Sequence, residues 1–521
     1  MKKFILIIFL VSLPAFAQML RHGIYTMHDF HIFRLFEFNK CIEKKVFPCR
    51  WAPDAALGYG EPVFNFYGQF SYWIGEILHL GGLSIIDSTK LLFILSIVLS
   101  GVSMFWAAKK FWGPRGAVIS ALLYMYAPYR AVDVWVRGAL PESLAFVLFP
   151  FVLYHFDALI TQGQKRNFLW LVLGLAALIT THNLSLFMFA PFLGLWWLVR
   201  SRQIISLPRL MLAGVVALLL SAYYLLPVAT ESKYVTLAQT TQGYYDFRAH
   251  FTTLRQLFLS NFWGYGGSTW GPNDTMSFAI GYLHWVLPLA LLLPVLIWPK
   301  FAQVRGLFVG CLALGWLALL LTHNKSAFIW THFPPMAYIQ FPWRFLTMAI
   351  LFLSLASGAI ARVGKGKILV CGLVVLILMF NGRFFAPDIW RPISDTQQFS
   401  GALWNEQRSS ALPDFWPKSA PQMPKAFAPT TPRAILRTKT YVKIQYPIVF
   451  FPGWTAQIDG QPGVVFPEGN LGLVTLRVSP DHPQIDLKFV DTWPRSTGNL
   501  ISFIALMGLL AWHFSQRLST G

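Results

Sequence analysis

The fold is decided by stretches such as IDSTKLLFILSIVLSGVSMFWAA, residues 86–108, in which apolar side chains greatly outnumber charged ones. A helix of this length crosses a hydrocarbon layer of about 30 Å. Similar runs recur along the whole chain of 521 residues, of which 55% are hydrophobic and only 12% are charged. Soluble globular proteins carry roughly 25% charged residues, so the composition excludes a soluble multi-domain enzyme and predicts a mainly α-helical, polytopic membrane protein.

About twelve transmembrane helices are predicted from these apolar runs. They cover residues 4–20, 86–108, 116–129, 142–160, 168–181, 184–199, 210–229, 277–298, 306–322, 343–361, 368–382 and 499–515. The first run also fits a cleavable signal peptide, because Lys2 and Lys3 precede it and Ala15-Phe16-Ala17 ends it. An uncleaved first span is the preferred interpretation, and cleavage would leave the remaining topology unchanged.

The net charge of +20 reflects membrane topology rather than nucleic-acid binding. With Met1 in the cytoplasm and the spans alternating, the loops on the inner side are rich in Lys and Arg, and the one acid near that side is Asp157. This bias follows the positive-inside rule. The chain is therefore predicted to lie in a bacterial inner membrane with both termini in the cytoplasm and the large loops in the periplasm. Nucleic acid is not an expected partner.

Three regions are predicted along the chain. Residues 1–382 form a transmembrane domain whose first outer loop is 21–85, residues 383–498 form a small extracytoplasmic β domain, and residues 499–521 form the last span and a cytoplasmic tail. The β prediction rests on alternation of apolar and polar residues between turn sequences. This alternation is found at residues 441–446, 473–478 and 485–490.

The outer loops are predicted to contain short helices. Residues 30–47 place aromatic and aliphatic side chains at nearly helical spacing, with charged residues between them, and predict a helix in the membrane interface. A second, more apolar helix is expected at 64–80, and a short one at 252–259 within the third outer loop, 230–276. Cys41 and Cys49 share the first outer loop and can form a disulfide in an oxidising compartment.

The first candidate catalytic group is His28-Asp29-Phe30-His31, which follows the first span closely. The Asp29 carboxylate, flanked by His28 and His31, is placed to remove a proton from an acceptor hydroxyl, which is general-base work. The alternative is that Asp29 only caps the interfacial helix, a preferred position for Asp.

The second candidate group, Arg130 to Glu142, lies near the outer ends of two spans. Arg130 and Arg137 can hold a phosphate, because a guanidinium group is always charged and matches phosphate with two parallel hydrogen bonds. Alternatively, they pair with Asp133 and Glu142 and only stabilise the loop. The structural alternative is favoured for Arg130, whereas the two interpretations are balanced for Arg137.

Three further segments carry polar residues near the outer boundary. Two spans end in the same tripeptide, Thr181-His182-Asn183 and Thr322-His323-Asn324, in which His can exchange protons and Asn can orient a sugar hydroxyl. Thr and Asn are also ordinary helix-end residues. Arg344 lies just inside the outer end of another span, where it either binds a lipid phosphate or reaches to the interface.

Familiar cofactor motifs do not occur in the sequence. We find no Gly-rich phosphate loop, no His-Glu-x-x-His, no Cys-x-x-Cys and no Gly-x-Ser-x-Gly. A divalent metal bridging Asp29 and a phosphate is an alternative, but one carboxylate and two histidines do not make up a ligand set. No metal-ligating residue is therefore assigned.

Several motifs together resemble one group of membrane proteins. They are Asp29 with its flanking histidines, FPCRWAPD at 47–54, GYGEPVFNFY at 58–67, YRAVDVWVRGALPE at 129–142 and FPWRF at 341–345. These segments resemble the bacterial integral membrane proteins called "6-pyruvoyl-tetrahydropterin synthase-related", and the similarity extends over nearly the whole chain. A true pterin synthase is a small soluble enzyme with a zinc-binding histidine triad, which this chain does not match.

The architecture is also similar to that of GT-C glycosyltransferases, which use polyprenyl-phosphate sugars. That resemblance implies a bundle of spans, a catalytic acid soon after the first span, here Asp29, and an extracytoplasmic C-terminal domain. Many members carry paired acids, whereas this chain has a single Asp with histidines.

The resemblance implies transfer of a sugar from a polyprenyl-phosphate carrier to an envelope glycan or lipid on the periplasmic side. Arg137 and Arg344 would then hold the donor phosphate, and the pocket would be lined by Glu142, His182, Asn183, His323 and Asn324. The alternatives are a lipid-linked glycan flippase, which would need ionisable residues near the bilayer midplane, and a non-catalytic envelope assembly protein.

Overall fold

The computed structural model describes residues 2–200, 206–269, 273–363, 367–410, 415–481 and 484–518. The end of the predicted cytoplasmic tail, residues 519–521, lies outside the described residues. The α-helices are Lys2–Phe16, Asp29–Glu43, Val63–Phe66, Phe70–Leu80, Ile85–Met125, Pro128–Ala131, Leu140–Gln162, Lys165–Thr181, Asn183–Arg200, Leu207–Leu220, Ala222–Glu231, Leu254–Phe258, Tyr282–Ile297, Arg305–Thr322, Ala327–His332, Leu346–Ser357, Lys367–Asn381, Asp395–Gln398, Gly401–Arg408 and Trp493–Leu518.

The chain divides into two compact units, and the predicted division by membrane topology at residues 382 and 498 stays a prediction. The first unit comprises Met1–His28, Trp73–Ala217 and Thr241–Ile393, and the second comprises Asp29–Tyr72, Leu218–Thr240 and Ser394–Gly521. Each unit is therefore assembled from segments that are distant in sequence. The first holds most of the long helices, and the second holds the sheets near the C-terminus.

The predicted number of membrane spans is only partly supported. Within the described residues, seven helices are long and apolar enough to cross a membrane, or eight if the bent pair Leu207–Leu220 and Ala222–Tyr234 is one span. The count of about twelve is therefore not confirmed, although the chain is clearly of the multi-pass membrane class. Hydropathy measures the length of an apolar run, whereas backbone geometry sets where a helix ends. The helix Tyr282–Ile297, for example, has only 16 residues because it starts after Gly281, whose φ is +93°.

Two predicted spans, 86–108 and 116–129, correspond to the long helix Ile85–Met125, which is interrupted at Gly113. Gly113 has a φ of +69° and precedes Pro114, so the regular helical backbone breaks there. On its buried side this helix packs against Leu140–Gln162 and Leu346–Ser357. The helix Leu346–Ser357 is buried along its whole length, which places it in the centre of the first unit.

The second unit contains the β structure expected from the alternating sequence. A four-stranded antiparallel sheet has the order Arg433–Arg437, Val442–Val449, Leu473–Val478, Val465–Glu468, and a three-stranded antiparallel sheet has the order Gln461–Gly463, Trp454–Ile458, Ile485–Phe489. A small core of Val442, Ala456, Leu476 and Val478 lies beneath them. The two short strands Ile24–Tyr25 and Trp390–Arg391 pair separately in the first unit.

The predicted outer-loop helices are present with adjusted bounds. The interfacial prediction corresponds to Asp29–Glu43, and the 64–80 segment forms two helices, Val63–Phe66 and Phe70–Leu80. The short helix Leu254–Phe258 begins after Thr253, which forms a reciprocal capping box with Gln256. A disulfide joins Cys41 to Cys49, which confirms the pairing expected in an oxidising compartment.

A buried ion pair connects several segments of the second unit. The Glu231 carboxylate accepts hydrogen bonds from Arg495 Nε at 2.9 Å, from Asn65 Nδ2 at 2.7 Å and from the Thr492 hydroxyl. Arg495 also donates from Nη2 to the carbonyl of Pro452 at 2.8 Å. Because buried charges require such partners, this network fixes Ala222–Glu231 and the start of the last helix within the second unit.

Candidate functional site

The candidate site is built on the connection between Ile85–Met125 and Leu140–Gln162 in the first unit. This connection continues from a single helical turn, Pro128–Ala131, into a π-helical turn, Val132–Val136. The amide of Arg137 donates to the carbonyl of Val132 at 2.8 Å, which closes the wider turn. Such π turns are rare and occur frequently at functional sites.

The wider turn brings a tyrosine, a carboxylate and an arginine together. Arg137 Nη1 lies 3.1 Å from the Tyr129 hydroxyl, 2.5 Å from Asp133 Oδ1 and 2.8 Å from Glu142 Oε2. The Tyr129 hydroxyl donates to the other carboxylate oxygen of Glu142 at 2.8 Å. Both carboxylates and Tyr129 are buried, whereas the Arg137 side chain keeps 16% of its surface exposed. The Arg137 side chain is therefore the part of this group that retains some exposure to solvent.

A second arginine reaches the same carboxylate from another helix. Arg344 Nε lies 3.7 Å from Glu142 Oε2, and Arg344 Nη1 donates to the carbonyl of Ile339 at 2.8 Å. Glu142 thus lies between two guanidinium groups. We call Arg137, Glu142 and Arg344, together with Tyr129 and Asp133, the arginine cluster.

The charges of this cluster favour an anionic ligand. Burial raises the pKa of Asp133, and the neighbouring charge of Glu142 raises it further. Asp133 therefore keeps its proton to higher pH than an ordinary aspartate. Burial lowers the pKa of nearby Arg130 to about 10, against the attraction of Asp133, so Arg130 remains charged at neutral pH. Three arginines then surround two carboxylates of which one is readily neutralised.

Aromatic rings lie beside the guanidinium groups of both Arg137 and Arg344. Arg137 Cζ lies 4.7 Å from the centre of the Trp343 ring, and Arg344 Cζ lies 5.1 Å from that of Phe341. The Phe341 and Trp343 rings stack on each other with their centres 4.8 Å apart. Cation–π contacts of this kind hold a guanidinium group in place without using its hydrogen-bond donors. Arg137 Nη1 and Arg344 Nη1 already donate to protein oxygens, so a ligand would be bound by the remaining N–H groups of the two side chains.

His182 also belongs to the surroundings of the cluster. Burial lowers its pKa to about 4, and its proton affinity is affected by the charges of Glu142, Arg344 and Arg137. Its Nδ1 atom lies 2.7 Å from the hydroxyl of Ser185. At neutral pH His182 is therefore uncharged and can accept or donate one hydrogen bond. Four of the predicted binding residues, Arg137, Glu142, His182 and Arg344, are thus brought together.

The other predicted binding residues show the contacts of ordinary helix ends. Asn183 accepts a hydrogen bond from the amide of Leu184 at 2.9 Å, and His323 accepts one from the amide of Lys325 at 3.2 Å. Burial and the charge of Lys325 lower the pKa of His323. Asn324 is exposed. A role in binding for Asn183, His323 and Asn324 stays a prediction.

Asp29 belongs to the second unit and begins the helix Asp29–Glu43. Its carboxylate accepts a hydrogen bond from Gln398 Nε2 at 3.3 Å, and its carbonyl accepts one from Gln407 Nε2 at 3.4 Å. The side chain is partly exposed. Asp29 therefore retains the access to solvent that a general base needs.

The two flanking histidines have structural contacts. His28 is buried in the first unit, where its ring stacks on Phe93 with centres 3.8 Å apart and Nε2 donates to the carbonyl of Val134 at 3.0 Å. Burial lowers the pKa of His28 to about 4. His31 is buried in the second unit, and its Nδ1 atom lies 2.8 Å from the Tyr72 hydroxyl. Their predicted participation in catalysis stays a prediction, and these contacts favour a supporting role.

The sequence alone did not identify Tyr129 or Trp343 as site residues, and it indicated Asp133 only as an ion-pair partner. The spacing of Tyr129, Asp133 and Arg137, each four residues after the previous one, places them on one helical face and could have indicated the group. Nothing in the local sequence predicts the π-helical turn that brings Glu142 to the same point. In the part of the chain that the structure describes, no group of three or more His, Cys, Asp or Glu side chains is arranged to hold a metal ion.

Similarity of this chain to known proteins is low. No protein-family model matches the chain, and a search of curated proteins finds no match. Among solved structures, the chain is similar to the arabinofuranosyltransferase AftD from Mycobacteria, with 15% identity and a TM-score of 0.48 over 76% of this chain and 27% of that one. Two classes of a single-residue variant of AftD give TM-scores of 0.45 and 0.48, at 15% identity and over 74% and 75% of this chain.

The present chain spans between 27% and 29% of the length of those AftD chains. A similarity with a TM-score below 0.5 establishes neither a shared fold nor a shared activity. The function is therefore inferred from the arginine cluster itself.

Proposed function

We propose that this protein is a membrane glycosyltransferase that moves a sugar from a polyprenyl-phosphate carrier to an envelope glycan or lipid on the periplasmic side of the inner membrane. The observation that carries this proposal is the convergence of Arg137 and Arg344 on Glu142 in a multi-pass protein. Arginine at membrane depth is costly unless it has an anionic partner. Two arginines that share one carboxylate leave positive charge for a second anion, and a lipid phosphate is the anion that a membrane supplies.

The chemistry of sugar transfer requires such fixed cations. When the acceptor hydroxyl attacks the anomeric carbon, the bond from that carbon to the phosphate oxygen breaks and negative charge develops on the leaving phosphate. Arg137 and Arg344 would stabilise that charge in a site of low dielectric constant, where the effect on the transition state is greatest. Glu142 would position both guanidinium groups, and neutral His182 would hydrogen-bond the ligand.

The acceptor hydroxyl must lose a proton, and Asp29, which belongs to the second unit, stays the base proposed from the sequence for this step. Its partly exposed carboxylate at the start of a helix supports the assignment. Asp29 could act directly as the base or as a ligand of a divalent metal. An Asp29→Asn protein that keeps wild-type transfer activity would remove Asp29 from the mechanism.

The proposal is tested by binding of a lipid phosphate to the full-length protein in nanodiscs. Native mass spectrometry would measure the occupancy of added farnesyl phosphate in wild type, Arg137→Ala, Arg344→Ala, Asp29→Asn and Arg248→Ala. Arg248 is a control because its side chain is 67% exposed and pairs only locally with Asp246. We expect both cluster variants to lose the lipid phosphate and the other two variants to retain it. Absence of binding in wild type, or full binding in both cluster variants, would contradict the proposal.

A further inference from the structure

A row of aromatic rings connects the arginine cluster to the surface of the first unit. The Phe341 ring, which lies below Arg344, has its centre 5.9 Å from that of Tyr244 and 6.2 Å from that of Tyr245. The rings of Tyr244 and Tyr245 meet edge to face at 5.6 Å. Phe341 is buried, whereas Tyr244 is 55% exposed. One buried ring therefore separates the cluster from the exposed Tyr244 and the partly exposed Tyr245.

The loop backbone that carries these tyrosines is held by a buried histidine. The ring of His250 lies between two polar groups of the loop, 2.6 Å from the Ser268 hydroxyl at Nδ1 and 2.5 Å from the carbonyl of Tyr244 at Nε2. It also packs edge to face on Phe341, with centres 4.7 Å apart. Burial lowers the pKa of His250, so the ring is neutral at pH 7 and can donate from Nε2 while it accepts at Nδ1. Tyr244 is thereby fixed relative to Phe341 before any ligand arrives.

The electrostatic surroundings of Tyr244 link it to the cluster. Burial raises the pKa of the Tyr244 phenol, while the charge of Arg137 lowers it and that of Asp274 raises it. Asp274 is held by Gln256 Nε2 at 2.6 Å and by the amide of Thr269 at 2.9 Å. The Tyr244 phenol therefore feels both a positive and a negative charge, and remains a neutral group that can hydrogen-bond a ligand rich in hydroxyl groups.

We infer that Tyr244 and Tyr245 form the surface that receives the sugar ring of the lipid-linked donor, next to the arginines that hold its phosphate. The inference rests on the proposed function. A sugar presents a face of C–H groups with small positive charge, which packs well on the negative face of an aromatic ring, and its hydroxyls can bond to the tyrosine O–H. In such a donor, a single oxygen atom joins the anomeric carbon of the sugar to the phosphorus atom. Arg344 Cζ and the Tyr244 ring lie 5.1 Å and 5.9 Å from the centre of the same Phe341 ring, so a sugar joined to a phosphate at Arg344 is close enough to reach Tyr244.

The competing role for exposed tyrosines in a membrane protein is to anchor a loop among lipid headgroups. The two roles differ in their response to the sugar. Replacing a tyrosine that contacts the sugar weakens only the binding of ligands that carry a sugar. Replacing an interfacial anchor has the same effect on binding whether or not the phosphate is glycosylated.

The test compares two kinds of short-chain lipid probe on the full-length protein in nanodiscs. Apparent Kd values would be measured for farnesyl phosphate and for farnesyl phosphates that carry glucose, mannose or galactose. The variants are Tyr244→Ala, Tyr245→Ala and Tyr244→Phe, with Tyr338→Ala as the matched control. Tyr338 is also 55% exposed and lies in the same unit.

We expect Tyr244→Ala and Tyr245→Ala to weaken binding of at least one glycosylated probe by about fivefold, the size of an aromatic stacking contribution. Binding of farnesyl phosphate should not change. Tyr244→Phe should retain most of the affinity because its ring remains, and Tyr338→Ala should behave as wild type. A melting temperature for each variant shows whether the fold is retained.

Three results would overturn the inference. The first is wild-type affinity of Tyr244→Ala and Tyr245→Ala for every probe that wild type binds. The second is equal weakening of both kinds of probe, which indicates loop anchoring. The third is a wild type that binds farnesyl phosphate but no glycosylated form, in which case the phosphate site survives and the sugar surface does not. If wild type binds none of the probes, the proposed function itself is contradicted.

Discussion

Arg137 and Glu142 form a buried ion pair five residues apart, with Nη1 2.8 Å from Oε2. The pair is close because the π-helical turn Val132–Val136 lengthens the connection before the helix Leu140–Gln162 begins. Glu142 also balances Arg344. Removing its charge would leave Asp133 as the remaining carboxylate beside the two guanidinium groups.

We therefore expect Glu142→Gln to destabilise the protein by about 3 kcal/mol, the usual result of removing one partner of a buried pair. The change should appear as a lower midpoint of thermal unfolding in detergent. Glu406→Gln is the control, because Glu406 is exposed on a short helix. Equal melting temperatures for the two variants would show that Glu142 does not balance the arginines.

The ion pair in the second unit gives a separate prediction. Glu231→Gln should destabilise the protein by about 3 kcal/mol, because the buried Arg495 then loses the carboxylate that it hydrogen-bonds. Farnesyl phosphate binding should persist in the folded fraction, since the arginine cluster belongs to the first unit. Loss of farnesyl phosphate binding at a temperature where the variant is fully folded would show that binding depends on the Glu231 ion pair.

His28 predicts a pH dependence of stability. Its pKa is about 4 in the folded protein because of burial, compared with about 6.5 in an unfolded chain. The unfolded state then binds more protons between these values, so stability falls as the pH decreases from about 6.5 to about 4. The contribution of this single residue is about 3 kcal/mol.

The test is to record unfolding of wild type and His28→Phe from pH 7.5 to pH 4.5. Phe can still stack on Phe93 but cannot be protonated. We expect the decline in stability on acidification to be smaller in His28→Phe than in wild type, although other buried histidines contribute to both curves. Identical slopes would mean that His28 is not buried as a neutral ring.

Gly138, next to Arg137, tests whether the backbone of the site is rigid. Its φ is +55°, and a Cβ atom there would lie 2.1 Å from the carbonyl oxygen of Met27. Gly138→Ala should therefore displace the backbone beside Arg137 and weaken farnesyl phosphate binding at least tenfold. Gly243→Ala is the matched control, since Gly243 has a φ of +59° and a Cβ atom added there would meet nothing within 4 Å. Gly243→Ala should lower the stability of the protein only by about 1 kcal/mol, the backbone strain expected for a non-glycine residue with this positive φ. Equal effects of the two substitutions on farnesyl phosphate binding would show that contact with Met27 is unimportant.

The disulfide between Cys41 and Cys49 gives the last prediction. Replacing both cysteines by serine should lower stability by about 2 kcal/mol, because the short closed loop gains freedom mainly in the unfolded state. Dithiothreitol should shift the wild-type melting temperature in the same direction and leave the double variant unchanged. A wild-type protein insensitive to the reductant would indicate that the bond does not contribute.

Particular segments show how far the fold follows from the sequence. Apolar runs predicted the membrane class and most helices, because a run of apolar side chains has few alternatives in a membrane. Alternation of apolar and polar residues predicted strands such as Leu473–Val478, because one face of a sheet must be buried. The span count was not confirmed, because the turn at Gly113 and the start of Tyr282–Ile297 depend on local backbone conformation rather than on hydropathy.

The sequence by itself determined that charged residues such as Arg137, Glu142 and Arg344 lie near span ends, because their cost in the apolar layer excludes most other positions. Only the tertiary structure decided that Arg137 and Arg344 share the carboxylate of Glu142. Arg344 lies about 200 residues further along the chain than Glu142 and meets it through helix packing. The tertiary structure also decided that His28 is a buried, neutral ring while Asp29 keeps access to solvent. Adjacent positions in a sequence can have opposite environments, because burial depends on what the folded chain places against each side chain.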